Sequence, residues 1–192
     1  MIMTGSENHL KEPMAMDGPS LASVSEHLPK IVGIDPGLRV TGYSILSVQS
    51  SGVVVHEAGV IRVNPQQPLA NRLSELYDGI REVLATENVM EVALEQLFSH
   101  YKRPKTAILM GHARGVICLA AAQRGVKVTD YEPTRVKRLI TGSGRASKEQ
   151  IQAAVCREFR LAHPPEPHDV ADAMAIALCH YHAMKGQRIL DD

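Results

Sequence analysis

The 192-residue sequence predicts an α/β domain built on a mixed five-stranded sheet flanked by helices. Three observations predict it. Three short apolar runs follow one another between residues 30 and 63 with tight turns between them, the signature of an antiparallel meander. Beyond residue 68, apolar runs of strand length alternate with stretches of helical periodicity. The chain also has the size and composition of one soluble domain with a substantial core, being 44% hydrophobic and 22% charged.

Residues 1–29 are rich in Ser, Glu, Pro, Met and Gly and lack the apolar stretch of a secretion signal, so they are expected to form a disordered arm. The folded body is expected over residues 30–185, followed by a short tail, 186–192. Lys30–Asp35 reads as a first strand stopped by Pro36-Gly37. Val40–Val48 and Val53–Val63 follow as strands, joined by the turn Ser50-Ser51-Gly52. Leu69, Leu73, Leu76, Ile80, Val83 and Leu84 have the spacing of an amphipathic helix entered through Pro68. Met90–Leu94 is a buried strand ending at Glu95, Thr106–Gln123 a helix and Val126–Tyr131 a strand. Pro133–Ile140 is a short helix broken by Thr141-Gly142-Ser143-Gly144. Ser147 and Gln150 form a capping box that opens a helix over Lys148–Arg160. After the proline-rich linker 163–167, a last helix runs from about His168 to Met184.

Four acids stand out against this frame. Asp35 closes the first strand, Glu95 ends the fourth, and Asp169 and Asp172 are three apart, on one face of the last helix. Carboxylates at buried strand ends are costly unless paired or bound to a cation. Several of them converging suit Mg²⁺, which favours oxygen ligands and can activate water for phosphodiester hydrolysis. Each acid also has a plainer reading: Asp35 as a cap for its turn, Glu95 as a solvated strand end, Asp169 and Asp172 as acids at a helix start. The opening GIDPG also occurs in two-domain actin-like ATPases, whose architecture needs a longer chain than this one.

Net charge is zero, but unevenly spread. Residues 101–160 hold 13 Lys and Arg against 4 Asp and Glu, while the rest of the chain holds 8 against 17. A basic surface beside an acidic centre is what a phosphate-binding enzyme with a carboxylate site requires. Arg135, Lys137 and Arg138 lie on the short helix, Arg145 in the glycine loop and Lys148 at the next helix start, settings suited to phosphate oxygens. Phe98, just beyond Glu95, leads into His100-Tyr101-Lys102-Arg103 and could stack on a base or pack in the core. His168 is open between metal ligand and surface residue. Cys179, His180 and His182 are not read as ligands, because positions 180 and 182 face different sides of a helix. Three cysteines without a CxxC pair favour a reducing compartment, and no apolar run reaches the ~20 residues that cross a membrane.

IVGIDPGLRVTGYSI, ALEQLF, GHARGV, RVKRLITGSGRASKEQIQ and HDVADAMAIALCH, in this order from about Ile31 to His182, resemble the signature segments of the bacterial RuvC family of Holliday-junction resolvases. The resemblance implies a ribonuclease-H-like fold, a homodimer, a four-way DNA junction as substrate, and Mg²⁺, two ions per site, with Mn²⁺ able to substitute. It implies a cytoplasmic enzyme of recombination and repair that nicks opposing strands, leaves 5′-phosphate and 3′-hydroxyl ends, and works with the RuvA–RuvB branch-migration complex. By position, Asp35, Glu95, Asp169 and Asp172 would be the metal-binding catalytic acids. Lys137 and Lys148 match basic residues of substrate binding and catalysis, Lys148 as a catalytic residue, and Phe98 matches the aromatic that disturbs pairing at the crossover; Arg103 and Arg145 are expected DNA contacts from their basic setting alone. The 29-residue arm, a longer loop after Phe98 and His112 in place of a usual Gln depart from the family pattern. A related nuclease acting on RNA or another branched substrate, and a junction-binding protein without cleavage, are the alternatives.

Overall fold

In the computed structural model, which describes residues 11–14, 27–97 and 104–191, the apolar strand β2 (Lys30–Asp35) lies at the middle of a six-stranded sheet. The other strands are β1 (Lys11–Pro13), β3 (Val40–Gln49), β4 (Gly52–Arg62), β5 (Val89–Glu95) and β6 (Lys127–Tyr131), in the order β1-β4-β3-β2-β5-β6. β2, β3 and β4 are the expected antiparallel meander, whereas β5 joins β2, and β6 joins β5, in parallel. Among the described residues the helices are α1 (Leu69–Leu84), α2 (Pro104–Gln123), α3 (Pro133–Thr141), α4 (Lys148–Glu158) and α5 (His168–Asp191). The ribonuclease-H-like α/β class holds. Among the described residues no helix is long and apolar enough to cross a membrane.

Alternation along the strands assigns the two faces. Val32 and Ile34 of β2, with Val92 and Leu94 of β5, pack against Leu76, Ile80 and Val83 of α1 and Ala113, Ile117 and Ala120 of α2. Residues of the other parity face α5: Ala93 meets Val170 and Met174, and Ile31 meets Ala177 and Leu178. Asp35 continues the series Ile31–Gly33, and Glu95 the series Glu91–Ala93, so both acids project toward α5. Helix α5 is buried on nearly every side along its first three turns, from Val170 to Cys179, which explains its lack of a clear polar face.

Two expectations need correction. The sheet has six strands, because Lys11–Pro13 of the supposed disordered arm adds to the outer edge of β4. An open edge presents unused N–H and C=O groups. Here Met14 N–H also donates to the Ala58 carbonyl at 2.6 Å, while Lys11–Glu57 and Arg62–Glu12 ion pairs, each 2.7 Å, fix the register. Pro13 is tolerated because the strand is outermost. At the other end, α5 continues to Asp191 rather than ending near Met184, so the expected tail is helical through that residue. No proline follows Met184, and Gly186 inside a helix costs only about 1 kcal/mol.

Two glycines let α5 lie directly on the sheet. A Cβ at Gly42 of β3 would stand 2.0 Å from the Asp169 carbonyl oxygen, and one at Gly33 of β2 would stand 2.2 Å from that of Ala173. Ser44 Oγ donates to the same Ala173 carbonyl at 3.0 Å, tying strand to helix at their closest approach. Gly42→Ala should therefore lift the start of α5, costing about 1–3 kcal/mol through overpacking. For a chain of this size that is a fall in Tm of roughly 2–4 °C per kcal/mol. Gly186→Ala, where an added Cβ meets nothing within 4 Å, should hold or raise Tm. Thermal melts of both variants check this; a Gly42→Ala protein melting with the wild type would remove the close-approach constraint.

Candidate active site

The parallel pairing of β2 and β5 aligns Gly33 with Ala93 and Ile34 with Leu94, so Asp35 and Glu95 come next in step on adjacent strand ends. Gly42 pairs with Asp35 across β2 and β3, and it is Gly42 that the backbone of Asp169 overlies. The first turns of α5 therefore carry Asp169 and Asp172 to the place where β2 and β5 deliver the other two carboxyls. Three elements from distant parts of the chain thus supply the four expected acids to one site.

The electrostatics of the group record this crowding. Burial first, then the charges of Glu95, Asp172 and Asp169, push the Asp35 carboxyl well above the usual carboxylate range. Glu95 is raised by burial and by Asp172, and is eased downward by a hydrogen bond from the Asp35 carboxyl and by Lys137 and Lys148. Asp172 is raised by burial and by Asp169, with Lys148, Lys137 and His168 opposing. Lys148 Nζ stands 3.8 Å from Asp172 Oδ2 and is 58% exposed, so water screens much of its attraction. Two partly solvated lysines do not neutralise four gathered carboxyls, and the site retains a surplus of negative charge.

Such a donor set, hard oxygens with uncompensated charge in a half-buried pocket, fits a divalent cation of the Mg²⁺ kind. Among the described residues no three His, Cys, Asp or Glu side chains stand in a geometry ready to hold an ion.

The basic residues divide. Lys137 on α3 and Lys148 at the first turn of α4 act directly on the carboxyls. The expected capping box positions Lys148: Ser147 Oγ accepts from the Gln150 N–H at 3.3 Å, and Gln150 Oε1 accepts from the Ser147 N–H at 2.8 Å. Gly142, with φ 79°, ends α3 in the left-handed conformation that turns the chain toward α4. Arg145 is exposed in that loop and is not among the principal charges acting on the acids. His168 lowers the Asp172 carboxyl, and its Nδ1 is buried with no hydrogen-bond partner among the described residues. Phe98 and Arg103 lie outside the described residues. One contact was not expected: Arg114, from GHARGV, donates to the main-chain carbonyl of Glu95. Its partner being a main-chain carbonyl, side-chain spacing in the sequence holds no signal of the contact.

Known proteins similar to this chain fall in one family. The family model described as crossover junction endodeoxyribonuclease RuvC matches residues 31–180. The crossover junction endodeoxyribonuclease RuvC of Rhodopirellula baltica is 59% identical over 152 residues, covering 79% of this chain and 85% of that protein. That of Halorhodospira halophila is 45% identical, covering 81% and 91%. Thermus thermophilus RuvC in complex with Holliday junction substrate superposes with a TM-score of 0.75 at 33% identity, covering 83% of this chain and 97% of that one. The yeast mitochondrial resolvase Ydc2, at 15% identity and a TM-score of 0.58, shares the fold. With the family model matching from β2 into α5 and the Rhodopirellula protein 59% identical over most of both chains, the chain belongs to the RuvC family of crossover junction endodeoxyribonucleases.

Proposed function

We propose that residues 30–185 resolve four-way DNA junctions in recombination and repair, by hydrolysing one phosphodiester in each of two opposed strands. The observation that carries this is the convergence of four carboxyls, three of them held above their ordinary range, beside Lys148. Asp35, Glu95, Asp169 and Asp172 would hold the divalent cations, Mg²⁺ or Mn²⁺. Bound there, the metal would acidify water and offset charge on the phosphate. Asp35, between strand end and helix, faces the other three acids and is the common anchor. Lys148 Nζ donates to a non-bridging oxygen of the scissile phosphate as its charge grows. Water oxygen bonds to phosphorus, the bond to the 3′ oxygen breaks, and that oxygen takes a proton, leaving a 5′-phosphate and a 3′-hydroxyl. Lys137 and Arg145 bind flanking phosphates; Arg103 does the same, and Phe98 stacks on a base at the crossover.

Symmetric nicking calls for two centres related by a two-fold axis. Helix α2 offers a face for a second copy: Ile108 is 61% and Leu119 52% exposed, and no atom lies within 4 Å of a Cβ added to Gly111 or Gly115 between them. Large apolar side chains exposed on one helix face favour burial against a partner. In the cytoplasm such a dimer would act with the RuvA–RuvB branch-migration complex.

Asp35→Asn should lose cleavage by more than ~100-fold, beyond the cost of removing a supporting group, while junction affinity stays near wild type. Cleavage of a four-way junction, linear duplex and structured RNA, each with Mg²⁺ or EDTA, tests this. Preference for RNA, or binding with no cleavage of any substrate, would overturn the assignment.

Lys148→Ala should slow single-turnover cleavage at saturating protein by ~100-fold, the scale of a lost oxyanion donor. A normal rate at saturation, with only weaker binding, would make Lys148 a DNA contact alone.

The raised carboxyls also predict a pH dependence. Asp35, Glu95 and Asp172 bind protons more tightly folded than unfolded, so their contribution to stability is fullest below the ordinary carboxylate range near 4 and fades as pH rises through the raised values. At neutral pH, metal-free Asp35→Asn should therefore melt above wild type, and the gap should shrink in acid. Mg²⁺ should raise the wild-type Tm more than that of the variant. Identical melting of the two metal-free proteins at pH 7 would contradict the crowding of charge.

A further inference from the structure

Arg114 belongs to α2, which packs on the face of the sheet opposite α5, yet its guanidinium reaches the end of β5. Nη1 donates to the main-chain carbonyl of Glu95, and Nη2 donates to Asp130 Oδ1 of β6 at 2.8 Å. The Arg114 side chain is 15% exposed and Asp130 49%, so the arginine is the enclosed member of the pair. Its neighbours on α2, Ala113 and Ile117, are fully buried in the core, which makes the helix a fixed base for it.

The contact meets a need of this strand end. The β2–β5 ladder stops at Ile34 and Leu94, so the Glu95 carbonyl lies beyond it. On the other side, Gln96 N–H donates to the Tyr131 carbonyl at 2.8 Å. Glu95 carries a carboxyl pressed by the charge of Asp172, and that pressure acts on a backbone already past its β2 partner. A planar guanidinium can serve the Glu95 carbonyl and the Asp130 carboxylate at once; a lysine ammonium is a point charge without that fork.

We propose that Arg114 is a positioning residue for the reaction: it holds the main chain at Glu95 so that the carboxyl stays opposite Asp35 and Asp172. The proposal rests on Glu95 being one of the metal-holding acids. A plain ion pair between helix and edge strand would affect stability alone, whereas a positioning group governs how well the carboxyls gather a cation.

The test uses the full chain with Arg114→Ala, Arg114→Lys, Asp130→Ala and, as reference, Glu95→Gln. Junction affinity is measured in EDTA, single-turnover cleavage against Mg²⁺ concentration, Mn²⁺ binding without DNA by calorimetry, and Tm by melting. Arg114→Ala should lose ~10- to 100-fold in metal affinity or cleavage rate, the range found for groups that support metal ligands. Its junction affinity should hold. Arg114→Lys should recover Tm but not Mn²⁺ binding, and it decides the matter if Arg114→Ala does not fold. Asp130→Ala, which keeps the bond to Glu95, should lose less than Arg114→Ala. If folded Arg114 variants bind Mn²⁺ and cleave as wild type, the residue is only a structural tie and the proposal fails. If Glu95→Gln cleaves normally, the assignment of the acid site fails first and takes this role with it.

Discussion

The backbone-to-backbone approach of α5 to the sheet is the constraint on which the rest of the molecule depends. Gly33 and Gly42 remove the side chains that would otherwise hold the helix away, and Ser44 bonds to a helix carbonyl where they meet. The facing positions on the helix are small too, Ala173 and Ala177, so the contact is tight from both sides. With an ordinary side chain at Gly42, Asp169 would be displaced from the strand residue paired to Asp35. The acids would then belong to two separate surfaces, and no cation could be shared between them.

Holding four carboxyls together is unfavourable for the chain alone. Two like charges ~4 Å apart at an effective dielectric near 20 repel by about 4 kcal/mol, comparable to a sizeable part of a domain's net stability. The folded protein meets this with packing: the first three turns of α5 are buried among Val60, Ala93, Ile151 and Val155, far more apolar contact than a solvent-facing helix makes. Burial and the neighbouring acids also push the Asp35 carboxyl well above the usual carboxylate range. Lys137 and Lys148 help from the rim, where water weakens them. A bound cation would offset the repulsion, so metal affinity and fold stability would draw on the same source.

How far this was legible in the sequence follows from where each piece of information resides. The strands β2 to β5 could be read because their Ile and Val runs are local and the turns between them carry Gly or Pro. Asp35 and Glu95 could be read because an acid closing an apolar strand is anomalous without reference to anything else. Strand β1 could not: Lys11-Glu12-Pro13 has no apolar alternation, and it forms only because β4 has a free edge to pair with. The end of α5 has no local marker, since the residues after Met184 hold no proline and the helix runs on through Gly186. The purpose of Gly33 and Gly42 appears only with the helix laid over them. The partner of Arg114 is a main-chain carbonyl, which leaves no trace in side-chain spacing.

The two faces of the sheet divide the work. Helices α3, α4 and α5 bring acids and lysines to one face. On the other, α1 and α2 fill the core, and α2 turns Ile108 and Leu119 outward. The central strands are packed from both faces, and at the end of β5 the two meet at one residue, Glu95. Its carboxyl belongs to the α5 side, while its carbonyl is held by Arg114 from the α2 side. A shift of α2 along its axis would therefore be felt at Glu95 before it reached Asp35, Asp169 or Asp172, which rest on β2 and α5. On the proposed reading of paired cuts by a two-fold dimer, the helix that would meet a second copy is also the one that holds the main chain at Glu95.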